Sequence, residues 1–332
     1  MLHINHALVA AVLSFIIAVS TTPVIKKIAS KYNIVAQPGG RRIHSAPTPL
    51  IGGIAIYLGV IVSILGFWAY FNIVSKETLT PLFTKQILGI IIGGTLIAFA
   101  GIIDDKYELS GKIQLVIMII SGLILALFNV SVGFLSNPFI KEISLVSLPV
   151  FTSIAITVIW TTVVTKAVDC IDGMDGLCAG FAFITSLTFT FMAISKTQIN
   201  ITNPILIPLT ASVCGASLGF LFYNFPPAKI FMGTIGSQFL GFSLASISIL
   251  GAYKVTIFGI LAPLLILGIP VFDTTYVVLK RVSEKRSIGD ADKTHIHHRL
   301  SAYGNSVRKV ILTIYLLTVV LCIVALYLFM TE

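Results

Sequence analysis

The sequence has few charged residues, no zinc-binding cysteine pattern and no sign of a second domain. Only 11% of its 332 residues are charged, while 56% are hydrophobic. Soluble domains carry roughly 25% charged residues, so a soluble fold is excluded. The four cysteines lack CxxC spacing, and neither an internal repeat nor a linker divides the chain. We predict that residues 1–332 form a single integral membrane domain.

The apolar residues fall in runs long enough to cross a membrane as helices, which takes about 20 residues each. We predict an all-α polytopic membrane protein with about ten transmembrane helices, and an eleventh is possible. The runs cover residues 6–25, 51–71, 86–103, 113–134, 147–165, 177–194, 204–223, 235–251, 255–279 and 309–329. The first run is predicted to be a retained span, because it lacks the basic start and cleavage site of a signal peptide.

The basic residues lie predominantly on one predicted side of the membrane. All but five of the 22 Lys and Arg residues follow spans 1, 3, 5, 7 and 9. Short loops rich in Lys and Arg stay cytoplasmic, so these loops are predicted to face the cytoplasm and both termini to face outward. We attribute the net charge of +9 to this topology and to attraction for anionic membrane lipid, not to nucleic-acid binding.

Most acidic residues lie on the same side, which topology alone does not require. All but three of the 13 Asp and Glu residues fall in these five loops, often beside the end of a span. Ionisable groups gathered at one membrane face indicate a functional polar site.

The loop after span 3 contains adjacent carboxylates, Asp104 and Asp105. Such a pair suits a divalent cation, or one base beside one orienting group. The alternative is a solvated helix end, although acids at a helix C-terminus oppose the helix dipole.

The loop after span 5 contains Asp169, Asp172 and Asp175, with Gly173 and Gly176 between and after them. The glycines favour a kinked turn with exposed amides over a continuous helix. The spacing is wrong for an EF-hand calcium loop, and no Glu follows at its twelfth position.

The loop after span 7 contains Pro226, Pro227 and Gly233. These residues predict a tight turn into span 8. The amides that begin span 8 are a candidate phosphate site, although the turn alone explains the pattern.

The loop after span 9 contains His295, His297 and His298 beside Lys293 and Arg299. Two interpretations stay open here. The histidines suit zinc, although the HExxH sequence is absent, or the whole group suits phosphate oxygens. The loop after span 1 contributes three further side chains: Arg41, Arg42 and His44.

Taken in order from Arg41 to Leu300, the five loops resemble the polyprenyl-phosphate N-acetylhexosamine-1-phosphate transferases, the family of the MraY, WecA and TagO enzymes. The segments His295–Leu300 and Pro270–Thr274 resemble the WecA/TagO branch. The resemblance implies transfer of an N-acetylhexosamine phosphate, GlcNAc-1-phosphate above all, from a UDP-sugar to undecaprenyl phosphate with release of UMP. It also implies Mg²⁺ or Mn²⁺ as cofactor, a bacterial inner membrane and a role in cell-envelope polysaccharide synthesis; a homodimer is left open.

The resemblance also implies roles for individual residues. Asp104 would be the base or orienting group for the polyprenyl phosphate, Asp105 and Asp172 would be catalytic with it, and Asp175 would lie near the uracil. The metal would be held by Asp105 and Asp169. The substrate-binding set would comprise Lys112, Asp175, Asn224, His295, His297, His298 and Arg299.

Three positions depart from the family pattern. Thr234 stands where relatives have a metal-binding Asp, and Lys166 and Asp169 stand where relatives have Asn. One hypothesis is that the anionic metal ligand has moved to Asp169, because a hydroxyl is a poorer Mg²⁺ ligand than a carboxylate. The alternatives are a degenerate, non-catalytic or regulatory paralogue that binds polyprenyl phosphate and, more remotely, a transporter.

Overall fold

The computed structural model describes residues 2–36, 47–74, 80–136, 145–196, 203–251, 257–286 and 294–331. Within these ranges nearly all of the chain is helical, which confirms the predicted all-α class. Eight of the helices are long and apolar enough to cross a membrane. Four residues discussed above lie outside the described ranges: Arg41, Arg42, His44 and Lys293.

The described residues contain twelve α-helices, and α2 continues into a π-helical turn over Tyr70–Val74. In chain order they are α1 Leu2–Lys31, α2 Gly53–Ala69, α3 Pro81–Tyr107, α4 Gly111–Leu127, α5 Val150–Ile171, α6 Leu177–Lys196, α7 Leu206–Asn224, α8 Gly233–Gly251, α9 Ile257–Ile266, α10 Gly268–Ser283, α11 Ile296–Ala302 and α12 Val307–Met330.

The ten predicted runs all form helices, but two differ from the prediction. The fourth is the shorter α4, which has 17 residues. The ninth is two helices, α9 and α10, that meet at Leu267. The break has a physical reason, because Pro270 lies in the first turn of α10. The first turn of a helix tolerates the missing N–H of a proline, because the amides of that turn have no partner within the helix. In one continuous helix, Pro270 would remove a hydrogen bond from the interior.

Two short antiparallel strand pairs were not predicted. Strand β1 (Val35–Ala36) pairs with β2 (Thr48–Pro49), and β3 (Phe134–Ser136) pairs with β4 (Leu145–Ser147). The first pair contacts the loop between α7 and α8, where the Phe231 amide donates to the Pro49 carbonyl at 2.8 Å. The β1–β2 pair is thereby attached to the loop that leads into α8.

Helix α8 forms the centre of the bundle and packs against α2, α3 and α5. Every residue from Ile235 to Leu250 is buried, including the polar Ser237, Gln238, Ser243, Ser246 and Ser248. Gly53 and Gly101 allow the backbones of α2 and α3 to touch the first turn of α8, where a Cβ at either position would overlap its backbone. Small residues permit such close helix contacts in membranes. The end of α3 is therefore held beside the start of α8.

Candidate functional site

A cavity of about 760 Å³ opens where α3, α5 and α7 end and where α8 and α12 begin. Residues from all five loops that sequence analysis placed on one side contribute to its wall. Six of the predicted site residues line it: Asp105, Asp169, Asp172, Asp175, Asn224 and His298. The five that do not line it are Asp104, Lys112, His295, His297 and Arg299.

Asp105 caps the N-terminus of α8 from the end of α3. Its Oδ1 accepts a hydrogen bond from the Thr234 amide at 2.7 Å, and its Oδ2 accepts one from the Ile235 amide at 3.5 Å. Gly233 has a φ of +69°, and a Cβ there would overlap the Asp105 carboxylate. The amides that were a candidate phosphate site therefore bind this carboxylate. The phosphate site stays a prediction, because two of its donors are already bonded to a side chain of the protein.

Asp104 is buried and makes a different set of contacts from its neighbour. Its Oδ1 accepts hydrogen bonds from the Leu109 amide at 2.8 Å and from Nε2 of Gln114 at 2.9 Å. These contacts join the end of α3 to the first turns of α4. The adjacent carboxylates predicted to act as a pair thus have separate environments. Asp104 lies behind the cavity wall, and Asp105 is part of that wall.

Asp169 is held by partners on two sides. Its Oδ2 lies 2.7 Å from Nζ of Lys166, and its Oδ1 accepts a hydrogen bond from the Ser237 hydroxyl at 2.7 Å. The Lys166 ammonium also donates to Oε1 of Gln114 at 3.4 Å. The two unusual residues of this loop are therefore an ion pair, and the lysine compensates the charge that the aspartate adds.

Asp172 lines the cavity beside the other three carboxylates. No group among the residues with described positions donates a hydrogen bond to it. Burial raises its pKa well above the ordinary value, and the negative charges of Asp169, Asp105 and Asp175 raise that pKa further. Such an environment favours either a proton or a bound cation on Asp172.

Asp175 and Asn224 connect the turn after α5 to the loop after α7. Oδ2 of Asp175 accepts a hydrogen bond from the Ala228 amide at 2.9 Å. Oδ1 of Asn224 accepts from the Gly176 amide, and its Nδ2 donates to the Ile230 carbonyl, both at 2.9 Å. Both side chains are buried at the edge of the cavity. Asn224, predicted to bind substrate, thus also holds two loops together.

The histidines of the last loop have three different environments. His295 Nδ1 lies 2.8 Å from Oδ2 of Asp273, whose Oδ1 accepts from the Ile296 amide at the start of α11. His297 is buried against the Gly173 backbone, where a Cβ would overlap its ring. Burial and the neighbouring imidazoles of His298 and His295 lower the pKa of His297 to about 3. Only His298 reaches the cavity.

The remaining two predicted residues, Lys112 and Arg299, are exposed. Lys112 lies in the first turn of α4, and the Arg299 guanidinium lies 5.5 Å from the centre of the Tyr276 ring. Neither side chain lines the cavity.

Sequence reasoning did not assign a site role to three residues that the structure places here. Arg308 lines the cavity, Ser237 binds Asp169, and Gln114 binds both Asp104 and Lys166. Arg308 was counted only as a topology signal. The polar Gln114 near the start of an apolar span was a usable signal, because buried amides need hydrogen-bond partners.

The cavity suits a hydrated Mg²⁺ better than a metal enclosed by protein. In the described ranges, no three His, Cys, Asp or Glu side chains are grouped closely enough to hold a metal by themselves. Mg²⁺ commonly keeps several waters and is bound through one or two carboxylates together with substrate phosphates. Asp172, uncompensated and facing three other carboxylates, provides such an oxygen donor. The donor set therefore fits the expected cofactor.

Comparison with known proteins gives a consistent result. Residues 87–252 match glycosyl transferase family 4. The chain is 38% identical to a protein of Bacillus subtilis named as a probable undecaprenyl-phosphate N-acetylglucosaminyl 1-phosphate transferase, over 98% of this chain and 87% of that protein. It is 31% identical to the decaprenyl-phosphate N-acetylglucosaminephosphotransferase of Mycobacterium tuberculosis, over 93% of this chain and 79% of that protein. It is also 28% identical to the phospho-N-acetylmuramoyl-pentapeptide-transferase of Orientia tsutsugamushi, over 96% and 91%.

Proposed function

The chain belongs to glycosyl transferase family 4, and we propose that it transfers GlcNAc-1-phosphate from UDP-GlcNAc to undecaprenyl phosphate. Membership confirms the resemblance drawn from the five loops. The protein is thus a multi-pass membrane transferase. The choice of GlcNAc and of an undecaprenyl acceptor is supported by the name of the Bacillus subtilis relative.

The observation that carries the proposal is the Asp172 environment. A carboxylate that lines one cavity together with three others is costly unless a cation joins it, and a sugar diphosphate binds through a cation in the same way. In the proposed reaction an oxygen of the polyprenyl phosphate forms a bond to the β-phosphorus of UDP-GlcNAc. The bond from that phosphorus to the bridging oxygen breaks, and UMP leaves with its electron pair.

Sequence analysis assigned the metal to Asp105 and Asp169, and we propose that Mg²⁺ binds between these two carboxylates and Asp172, which lines the same cavity. The metal would neutralise the phosphate oxygens as charge moves onto UMP. The Asp169 carboxylate stays oriented by Lys166 and Ser237, and Asp105 is oriented by the first amides of α8. These contacts hold the carboxylates in position before the substrate binds, which lowers the cost of reorganisation.

The other predicted residues have proposed roles around this centre. Asp104, fixed by Gln114, would orient the lipid phosphate from behind the wall. Asp175 and Asn224 would form the nucleotide side of the cavity with His298. The remaining members of the predicted substrate-binding set do not line the cavity, and their roles stay predictions: Lys112, His295, His297 and Arg299.

The orientation in the membrane is also part of the proposal. The cavity would face the cytoplasm, and both termini would face outward, because Lys and Arg are concentrated at the loops that form it. UDP-sugars would then enter from the cytoplasm, and the polyprenyl tail would lie against the spans in the membrane.

The alternatives to activity rest on Thr234, whose side chain lines the cavity without a carboxylate. A degenerate paralogue that only binds polyprenyl phosphate would keep the fold without turnover. The transporter alternative lacks support, since the cavity carboxylates lie at helix ends and the relatives are named as transferases.

The deciding experiment supplies the purified protein with UDP-GlcNAc, undecaprenyl phosphate and Mg²⁺ and measures UMP release. We expect release by the native chain and a loss of at least about 100-fold in Asp172→Asn, because the carboxylate at the centre of the site is removed. The matched control is Glu284→Gln at an exposed carboxylate that does not line the cavity, which should retain activity. If neither the native chain nor the Thr234→Asp variant releases UMP, the result would establish the degenerate alternative.

A further inference from the structure

The cavity wall contains many anionic groups and little cationic charge. Four carboxylates line it, whereas Arg308 is the sole Lys or Arg side chain among the described lining residues. Lys166 is near, but it is paired with Asp169 and does not line the cavity. A diphosphate entering this space therefore meets one guanidinium directly.

Arg308 lies in the first turn of α12, a helix of 24 residues. Ser306 and Val307, which precede it, also line the cavity, so the N-terminus of α12 opens into the same space. The positive end of the helix dipole adds to the charge of the guanidinium there. Two independent features of one segment thus favour an anion at this wall.

The guanidinium is oriented without being neutralised. Its Nε and Nη2 donate to the Pro226 carbonyl at 3.3 and 3.1 Å. A carbonyl carries no net charge, and within the described ranges no carboxylate forms an ion pair with Arg308. A guanidinium has five N–H donors, so further donors stay available in a fixed plane. This is the geometry that binds phosphate oxygens through paired hydrogen bonds.

We propose that Arg308 binds the diphosphate of the UDP-sugar at the α12 wall of the cavity. This inference rests on the proposed function, since it names the residue that binds the donor substrate of that reaction. The carboxylates opposite hold the diphosphate only through a cation, whereas Arg308 contacts it directly.

The test compares two adjacent positions that lose the same charge. Arg308→Gln removes the cavity guanidinium, and Lys309→Gln removes an exposed ammonium in the same helical turn that does not line the cavity. Binding of UDP and of uridine to the purified full chain is measured by calorimetry with Mg²⁺ present and without lipid acceptor. We expect Arg308→Gln to weaken UDP binding by about 10- to 100-fold and to leave uridine binding unchanged. Lys309→Gln should change neither.

A second variant, Arg308→Lys, keeps the charge but not the planar fork, and we expect an intermediate loss of UDP affinity. In turnover assays Arg308→Gln should raise KM for UDP-GlcNAc more than it lowers kcat. Equal loss of uridine binding would overturn the inference, because Arg308 would then act through Pro226 and the loop. An equal effect of Lys309→Gln would also overturn it.

The two proposals fail in distinguishable ways. A native chain that binds UDP through Arg308 but releases no UMP supports the inference and contradicts turnover. A native chain that releases UMP with unchanged UDP affinity in Arg308→Gln contradicts the inference alone.

Discussion

Gly233→Ala tests whether the site depends on the contact between Asp105 and the start of α8. Gly233 has a φ of +69°, which costs an L-residue about 1 kcal/mol or more. Its new Cβ would also overlap the Asp105 carboxylate, which must move away from the Thr234 and Ile235 amides. Loss of the short hydrogen bond from the Thr234 amide costs about 1.5–3 kcal/mol, and with the conformational cost we expect a total destabilisation of about 3–5 kcal/mol.

The same displacement should reduce activity. Misplacement of a reacting or positioning group by about 1 Å costs roughly 100-fold in rate, so we expect UMP release to fall by about that factor. The assays are initial rates of UMP release and the unfolding temperature of the purified protein in detergent.

Gly304→Ala is the matched control for this variant. Gly304 also has a positive φ, +75°, but no heavy atom lies within 4 Å of a Cβ placed there. It should show only the conformational cost of about 1 kcal/mol and native activity. If Gly233→Ala matches Gly304→Ala in both rate and stability, the Asp105 contact does not determine the site.

Three further variants test separate contacts. Lys166→Gln removes the counter-ion of Asp169, so we expect Mn²⁺ to bind severalfold more tightly by paramagnetic resonance titration; unchanged affinity would show that the ion pair does not influence the metal. Asn224→Leu leaves the buried Gly176 amide without its acceptor, so the free energy of unfolding should fall by about 2–4 kcal/mol, measured as a lower unfolding temperature. An unchanged unfolding temperature would contradict the role of Asn224 in holding the two loops together. Burial lowers the pKa of His297 from 6.5 to about 3. Its contribution to the free energy of unfolding is therefore fully present above about pH 6.5 and is lost as the unfolded chain takes up a proton at lower pH. Between pH 7 and pH 5 the titration of His297 should cost the native chain about 2 kcal/mol more than it costs His297→Phe, and unfolding temperatures of both chains at the two pH values would reveal this difference. The raised pKa values of Asp105 and Asp172 act in the opposite direction but are common to both chains, so the difference between the chains reports on His297.

The architecture was largely predictable because it follows from local properties of the chain. An apolar run of sufficient length forms a helix in a membrane irrespective of its neighbours, since its backbone groups must bond within the segment. The predicted runs accordingly all became helices. The break at Leu267 was missed because hydropathy stays high across it, although Pro270 was a visible signal.

The membership of the site was only partly predictable. The carboxylates of the loops after spans 3 and 5 could be selected because unpaired acids beside apolar spans are costly. The structure brings Asp105, Asp169, Asp172 and Asp175 to one cavity. Residues that contribute by packing or orientation, such as Ser237 and Gln114, are ordinary polar residues in the sequence. Their roles depend on which partner faces them.

The sequence by itself determined the membrane class, the spans and the side on which the charges collect, because these depend on composition and on spacing within short segments. Only the tertiary structure decided which acid is free and which is engaged. Asp105 binds the Thr234 amide, 129 positions away in the chain, and Asp169 binds Ser237, 68 positions away. Such contacts depend on helix packing at Gly53 and Gly101, and no local pattern specifies them.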